Sequence, residues 1–115
     1  MTQIGIEYIA ANALLELDTH CNIRDITIRH IYIYADRVIE EYNTHNKPGV
    51  ELVDTPGDIE NLVLEYPDYF ELDGQVLKIH KDADIEEMKH IFRWSLTYAM
   101  IIAISEISIR QVIKC

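Results

Sequence analysis

The chain has 115 residues and a mass of 13.4 kDa, the size of one domain with a single hydrophobic core. A hydrophobic fraction of 49% excludes an intrinsically disordered chain, although the formal net charge is −10. The most apolar stretch, residues 94–105, is only 12 residues long and falls short of the roughly 20 residues that a membrane-spanning helix needs.

The negative charge is concentrated in one part of the chain. Residues 51–87, called here the acidic window, contain 12 of the 20 acidic residues but only two basic residues, Lys78 and Lys81. The net charge of this window therefore equals that of the whole chain, and the remainder is balanced.

The cysteine content and the first 15 residues of the chain indicate its cellular compartment. The two cysteines, Cys21 and Cys115, form neither a disulfide framework nor a CxxC motif. The first 15 residues lack the basic start and the small-residue cleavage site of a secretory signal. Both observations predict a protein of the reducing cytoplasm.

The first half of the chain is predicted to be helical. Residues 2–18 carry apolar side chains at three-to-four spacing, which predicts a first helix with one buried face. Residues 26–43 begin with β-branched side chains that favour a strand locally. Their apolar stripe keeps helical spacing for longer than a strand would, which predicts a second helix with Asp25 as its N-cap.

A third helix and a hairpin are predicted inside the acidic window. Pro56 gives a strong helix start, and Pro67 ends this third helix. The dipeptide at positions 73–74, Asp-Gly, separates two runs of strand-forming residues and predicts a β-hairpin over residues 69–80. With a two-residue Asp-Gly turn, position 70 would pair with position 77. A short strand is also predicted at positions 50–53.

The last segment, residues 82–114, is predicted to form a long helix. Asp84 and Glu87 have the spacing of a capping box at its start. Such a helix would be about 45 Å long and is apolar on two sides, so it either breaks near residues 105–108 or pairs with a second copy. We expect a homodimer whose interface contains Trp94, Tyr98, Ile101 and Ile102.

The predicted fold is therefore α+β and predominantly helical, with one domain spanning residues 1–115. Residues 58–79 resemble the second half of a winged-helix domain, in which a helix ends at a proline and an aromatic residue and a short hairpin, the wing, follows. The resemblance is one of shape, covers about residues 22–81 and points to no specific family. It implies a winged-helix-like centre that is flanked by an N-terminal helix and by the long C-terminal helix.

The resemblance and the charge predict opposite partners. In DNA-binding winged-helix proteins the helix before the wing usually enters the major groove with Arg, Lys, Asn or Gln side chains. The matching helix has no basic residue, and its carboxylates would repel phosphates. The simplest interpretation of the acidic window is a solvated surface, and the functional alternatives are a docking face for a basic protein or a mimic of duplex DNA.

We predict a non-enzymatic adaptor, assembly factor or inhibitor. Its binding residues for a basic protein partner are predicted to be Asp58, Glu60, Asn61, Glu65, Glu71 and Asp73. The alternative is a dimeric DNA-binding transcriptional regulator that uses another surface, formed by Arg24, Arg29, Arg37 and Lys47. Against this alternative, Arg37 and Glu41 have the i,i+4 spacing of an ordinary exposed ion pair.

No enzymatic, metal or cofactor site is predicted. The acidic run at residues 82–87 lacks the glycine of a calcium-binding loop. Glu87-x-x-His90 occurs once, whereas carboxylate-bridged di-metal bundles need the motif twice. His20 and Cys21 are adjacent in sequence, and such neighbours usually point apart rather than forming a catalytic pair.

Overall fold

The computed structural model describes residues 2–104 and 107–114. Within them the chain forms six helices and five strands, so the predominantly helical α+β prediction is confirmed. In chain order the elements are β1 (Thr2–Gly5), α1 (Ile6–Cys21), β2 (Asp25–Thr27), α2 (Ile28–His45), β3 (Val50–Val53), α3 (Asp58–Glu65), β4 (Phe70–Asp73), β5 (Val76–Ile79), α4 (Ile85–Phe92), α5 (Leu96–Ala103) and α6 (Ile109–Ile113).

Helix α1 lies at the centre of the core. It packs against α2, α3, α4, α5 and α6, and nine of its 16 residues are buried. The sequence predicts one buried face, but Ala11, Asn12 and Leu15 on the other side are buried as well. The side-chain amide of Asn12 is buried but hydrogen-bonded. It donates to the backbone carbonyl oxygens of Tyr8, at 2.9 Å, and Phe92, at 3.5 Å.

A three-stranded antiparallel sheet has the order β2-β5-β4. The hairpin prediction is confirmed, but the turn lies at residues 74–75, so that Asp73 pairs with Val76 and Phe70 pairs with Ile79. Gly74 has φ +60°, and glycine at the first central position is what a type II′ turn requires. The predicted pairing of Phe70 with Leu77 is therefore wrong. Phe70, Leu77 and Ile79 are nevertheless all buried in the core.

Two further strands differ from the sequence prediction. Strand β1 precedes α1 and pairs in parallel with β3, whereas the first helix was expected from residue 2. Strand β2 occupies the β-branched start of the second predicted helix, and α2 begins at Ile28. The N-cap of α2 is Thr27, whose hydroxyl accepts from the His30 N–H at 3.1 Å, so Asp25 as the N-cap is wrong.

The predicted long C-terminal helix is three short helices. Ser95 begins α5, because its hydroxyl accepts from the Tyr98 N–H at 3.2 Å and donates to the Phe92 carbonyl at 2.6 Å. Ser108 begins α6 with a capping box to Gln111. These breaks let the segment wrap around α1, and the longest dimension of the protein is 40 Å. The expected capping by Asp84, which accepts from the Glu87 N–H at 3.1 Å, is confirmed.

Candidate functional site

Helix α3 is fixed between the core and the hairpin. Ile59 and Leu62 are buried, and the helix packs against α1 and β4. Its start is held by the Asp58 carboxylate, which accepts from the Thr55 N–H at 2.7 Å. Gly57 has φ +92°, a conformation that L side chains rarely adopt, and this residue turns the chain into the helix.

The opposite side of α3 faces solvent. Glu60, Asn61 and Glu65 are exposed, whereas Asp58 is half-buried. At about 100° per residue the helix places Leu64 between these polar residues, and 77% of Leu64 is exposed. We call this surface, with Glu71 and Asp73 of the adjoining strand β4, the acidic face; its residues are Asp58, Glu60, Asn61, Leu64, Glu65, Glu71 and Asp73.

The carboxylates of the acidic face are largely unneutralised. Glu71 lies opposite Lys78 in the hairpin, but the Lys78 Nζ is 3.4 Å from the Asp73 carboxylate instead. Within residues 2–104 and 107–114, Glu60, Glu65 and Glu71 form no ion pair. The surface therefore keeps a negative potential that can attract a cationic partner.

The negative potential extends from α3 to neighbouring elements. Burial raises the pKa of Glu7 in α1, and the charges of Asp58 and Glu65 raise it further. A hydrogen bond of 2.6 Å to the Asp54 carboxylate, followed by burial and nearby acids, raises the pKa of Tyr32 to about 12. Both shifts have the sign expected where negative charges gather.

Replacing Glu7 by glutamine is expected to stabilise the protein at neutral pH. Because the folded-state pKa of Glu7 is raised, its ionised form costs stability above that pKa, and the cost disappears below the ordinary value of 4.5. Solvent screening of this partly exposed group limits the gain to about 0.5 kcal/mol. Urea unfolding between pH 4 and pH 7.5 should show Glu7→Gln gaining on the wild type as pH rises. A constant difference, or one that the exposed Glu40→Gln control reproduces, would rule out this origin.

Two basic residues of the DNA-binding alternative, Arg29 and Arg37, line one cleft, and neither Arg24 nor Lys47 lines it. Arg24 is held in place: its Nε donates to Asp18 at 2.6 Å, and its Nη1 donates to the carbonyl oxygens of His80, at 3.1 Å, and Lys81, at 3.0 Å. These bonds join the end of α1 to the end of β5.

The other members of that set are exposed on α2 and after it. Arg29 and Arg37 lie on α2, and Lys47 follows the helix in the loop before β3. The expected ion pair between Arg37 and Glu41 is not formed, because the Glu41 carboxylate contacts the His45 Nε2 at 3.0 Å.

The predicted dimer residues lie at the start of α5 and along it. Trp94 is 81% exposed and Ile102 is 54% exposed. Tyr98 and Ile101 are half-buried; the Arg93 guanidinium lies 5.5 Å above the Tyr98 ring, and Ile101 packs on the core. The outward residues of α5, Leu96, Ala99, Ile102 and Ala103, carry no charge.

The structure adds an observation about Cys21, a residue for which no catalytic role is predicted. Cys21 is the half-buried last residue of α1 and is disulfide-bonded, a bond that the sequence spacing did not predict. Cys115, the other cysteine of the chain, lies outside the described residues. The cytoplasmic location therefore stays a prediction, and the disulfide does not support it.

Comparisons with protein-family models, curated proteins and solved structures give no match to this chain. In the described ranges, no helix is both long enough and apolar enough to cross a bilayer. The same residues contain no group of three or more His, Cys, Asp or Glu side chains placed to hold a metal ion.

Proposed function

We propose that this protein is a non-enzymatic interaction module that binds a basic protein partner through its acidic face. The observation that carries the proposal is the exposed Leu64, surrounded by Glu60, Asn61 and Glu65 on a rigidly held helix. An apolar anchor inside a charged rim is typical of protein interfaces. The carboxylates would steer a cationic partner into contact, and the leucine would supply apolar burial.

Leu64 supports a docking face over the other two interpretations of the acidic window. A solvated surface needs no apolar residue, although single exposed leucines are common on protein surfaces, and this one is 77% exposed. A mimic of duplex DNA presents an array of charges, and the phosphate lattice that it imitates has no apolar anchor. The partner that fits has an apolar pocket rimmed by Lys or Arg, as expected for an adaptor, an assembly factor or an inhibitor.

A winged-helix-like centre is part of this proposal. Helices α2 and α3 together with the β2-β5-β4 sheet support it, since the hairpin directly follows α3, and α1 precedes this centre as the flanking helix. The helix that reads DNA in such folds would here bear the acidic face. The DNA-binding alternative is less favoured, because Arg24 is engaged in the three hydrogen bonds described above.

The proposal is tested by charge reversal and affinity capture from the native host. Changing Glu60, Glu65 and Glu71 to lysine should remove the specific partner. A control with the same change in net charge reverses exposed acids outside the acidic window, namely Asp25, Asp36 and Glu40. The control should retain the partner, because the proposal attributes loss of the partner to the acidic face and not to a general loss of negative charge.

We further propose that the protein forms a homodimer through α5. The support is an outward surface without charge on a helix that is apolar all round, and such helices are normally covered. A second copy fits this surface, because two identical uncharged faces can meet without desolvating a charge.

Replacing Ile102 by glutamate is expected to convert the dimer into a monomer. Two carboxylates would be forced together in an apolar contact, which is strongly unfavourable. Light scattering at micromolar concentration should give twice the 13.4 kDa chain mass for the wild type and the single mass for Ile102→Glu. Circular dichroism checks that the variant is folded. A wild-type protein that scatters as a monomer would refute the dimer.

A further inference from the structure

A basic cleft lies between α2 and α6. Its volume is about 450 Å³. One wall is a side of α2, and the other is the end of α6 with the residue that follows it. The lining includes Arg29, His30, Ile33, Arg37, Val112 and Lys114.

The cations of this cleft form no ion pair with any described residue. Among the described residues, ion pairs engage Arg24, Lys78, Lys89 and Arg110. Arg29, Arg37 and Lys114 form none in the same part of the chain, and no carboxylate of residues 2–104 and 107–114 lines the cleft. Three unpaired cations around one concavity are unusual in a chain with a net charge of −10, and an anion would relieve their mutual repulsion.

His30 provides another donor on the same wall. The Thr27 hydroxyl oxygen accepts from the backbone N–H of His30 at 3.1 Å. The same oxygen lies 2.7 Å from the ring nitrogen Nδ1 of His30. The hydroxyl hydrogen can therefore point to Nδ1, and this arrangement leaves the proton of the neutral ring on Nε2. The first turn of α2 carries no acidic residue, so the helix dipole adds to the positive potential there.

The cleft also has apolar lining residues. Ile33 lies about one helical turn from each of Arg29 and Arg37, and Val112 of α6 lines the same cleft. Since α2 rises about 1.5 Å per residue, the Cα atoms of Arg29 and Arg37 lie about 12 Å apart along the helix axis. This length accommodates an anionic group together with an attached ring.

We propose that the cleft binds a small phosphomonoester carried on an apolar or aromatic body. A phosphomonoester carries close to two negative charges at neutral pH and three terminal oxygens, which suits three cations and a histidine donor better than a carboxylate does. Arginine also matches phosphate geometry with two parallel hydrogen bonds. The ring of the ligand covers Ile33 and Val112.

This site is independent of the acidic face. Ile28 and Tyr32 of α2 face the residues at the start of α3, Asp54 to Glu60. Ile33 and Arg37 lie about 100° or more from both of them around the same helix, and Arg29 lies about 60° from Tyr32 and about 100° from Ile28. Partner capture through the acidic face and ligand binding in the cleft can therefore fail separately.

Phenyl phosphate is the probe that tests the cleft. Titration into the full chain, followed by ¹H–¹⁵N NMR, should shift the amides of residues 27–37 and 111–114 with a dissociation constant on the order of 1 mM. Benzoate and phenol share the ring but carry one charge and none, and they should bind progressively more weakly. Raising the salt concentration should weaken phenyl phosphate binding.

Matched variants separate the cleft from general electrostatics. Arg29→Ala, Arg37→Ala and Lys114→Ala should each weaken phenyl phosphate binding about tenfold, the value of a charge-assisted hydrogen bond. Lys47→Ala and Lys81→Ala remove cations that also form no ion pair with the described residues but lie outside the cleft, and they should leave binding unchanged. Absent or scattered amide shifts at 10 mM probe, equal binding of benzoate, or equal loss in the control variants would each overturn the proposal.

Discussion

Replacing Phe92 by alanine is expected to lower the free energy of unfolding by about 3–5 kcal/mol, the usual cost of deleting a buried aromatic ring. Phe92 is fully buried at the end of α4. Its ring lies 6.3 Å from Tyr8, 5.2 Å from Tyr66 and 5.7 Å from Phe70, each at an edge-to-face angle. One side chain thus connects α1, the end of α3, strand β4 and α4.

The backbone at Phe92 adds to the effect. Its carbonyl oxygen accepts from the Ser95 hydroxyl at 2.6 Å and from the Asn12 amide at 3.5 Å. A cavity at this point would also loosen the break between α4 and α5, which lies directly after it. Since small domains have net stabilities of about 5–15 kcal/mol, the loss is a large fraction of the total.

The matched control for Phe92→Ala is Leu64→Ala. Both changes remove an apolar side chain, but Leu64 is 77% exposed, so its loss should change stability by no more than about 0.5 kcal/mol. Urea unfolding followed by circular dichroism measures both variants. A Phe92→Ala protein that loses less than about 1 kcal/mol would contradict the central role of this ring.

The elements that the sequence predicted are those determined by neighbouring residues. The alternation around Gly74 identifies the hairpin and its buried face, and Asp84 with Glu87 identifies the start of α4. The exact turn was missed because Asp-Gly and Gly-Gln are both compatible with a two-residue loop. Only packing of the strands against the core distinguishes them.

The features that the sequence did not predict depend on distant contacts. Strand β1 exists because Ile4 pairs with Leu52, 48 positions further along the chain. The break before α6 was one of the two alternatives predicted for the last segment, whereas the break before α5 was not predicted because Ser95 lies inside a continuous apolar pattern. Ser95 becomes a cap because its hydroxyl reaches the Phe92 carbonyl in the wrapped arrangement around α1.

The sequence predicted the charged residues of the acidic face but not its apolar anchor, Leu64. The carboxylates of α3 follow directly from the acidic composition of residues 51–87. Leu64 was missed because the helical pattern was used to find the buried stripe, which contains Ile59 and Leu62. A leucine opposite that stripe was the available signal, since such a residue has no core to pack against.

The affinity of the captured, purified partner for Leu64→Ala tests the acidic face most directly. Burial of the leucine at the centre of the contact predicts a loss of about tenfold or more, as for other interface hot spots. Thr44→Ala is the control, because Thr44 is also exposed but lies in the last turn of α2, outside the acidic face and outside the proposed dimer surface. We expect this control to bind like the wild type. Unchanged affinity for Leu64→Ala, or an equal loss for Thr44→Ala, would contradict the acidic face as the binding surface.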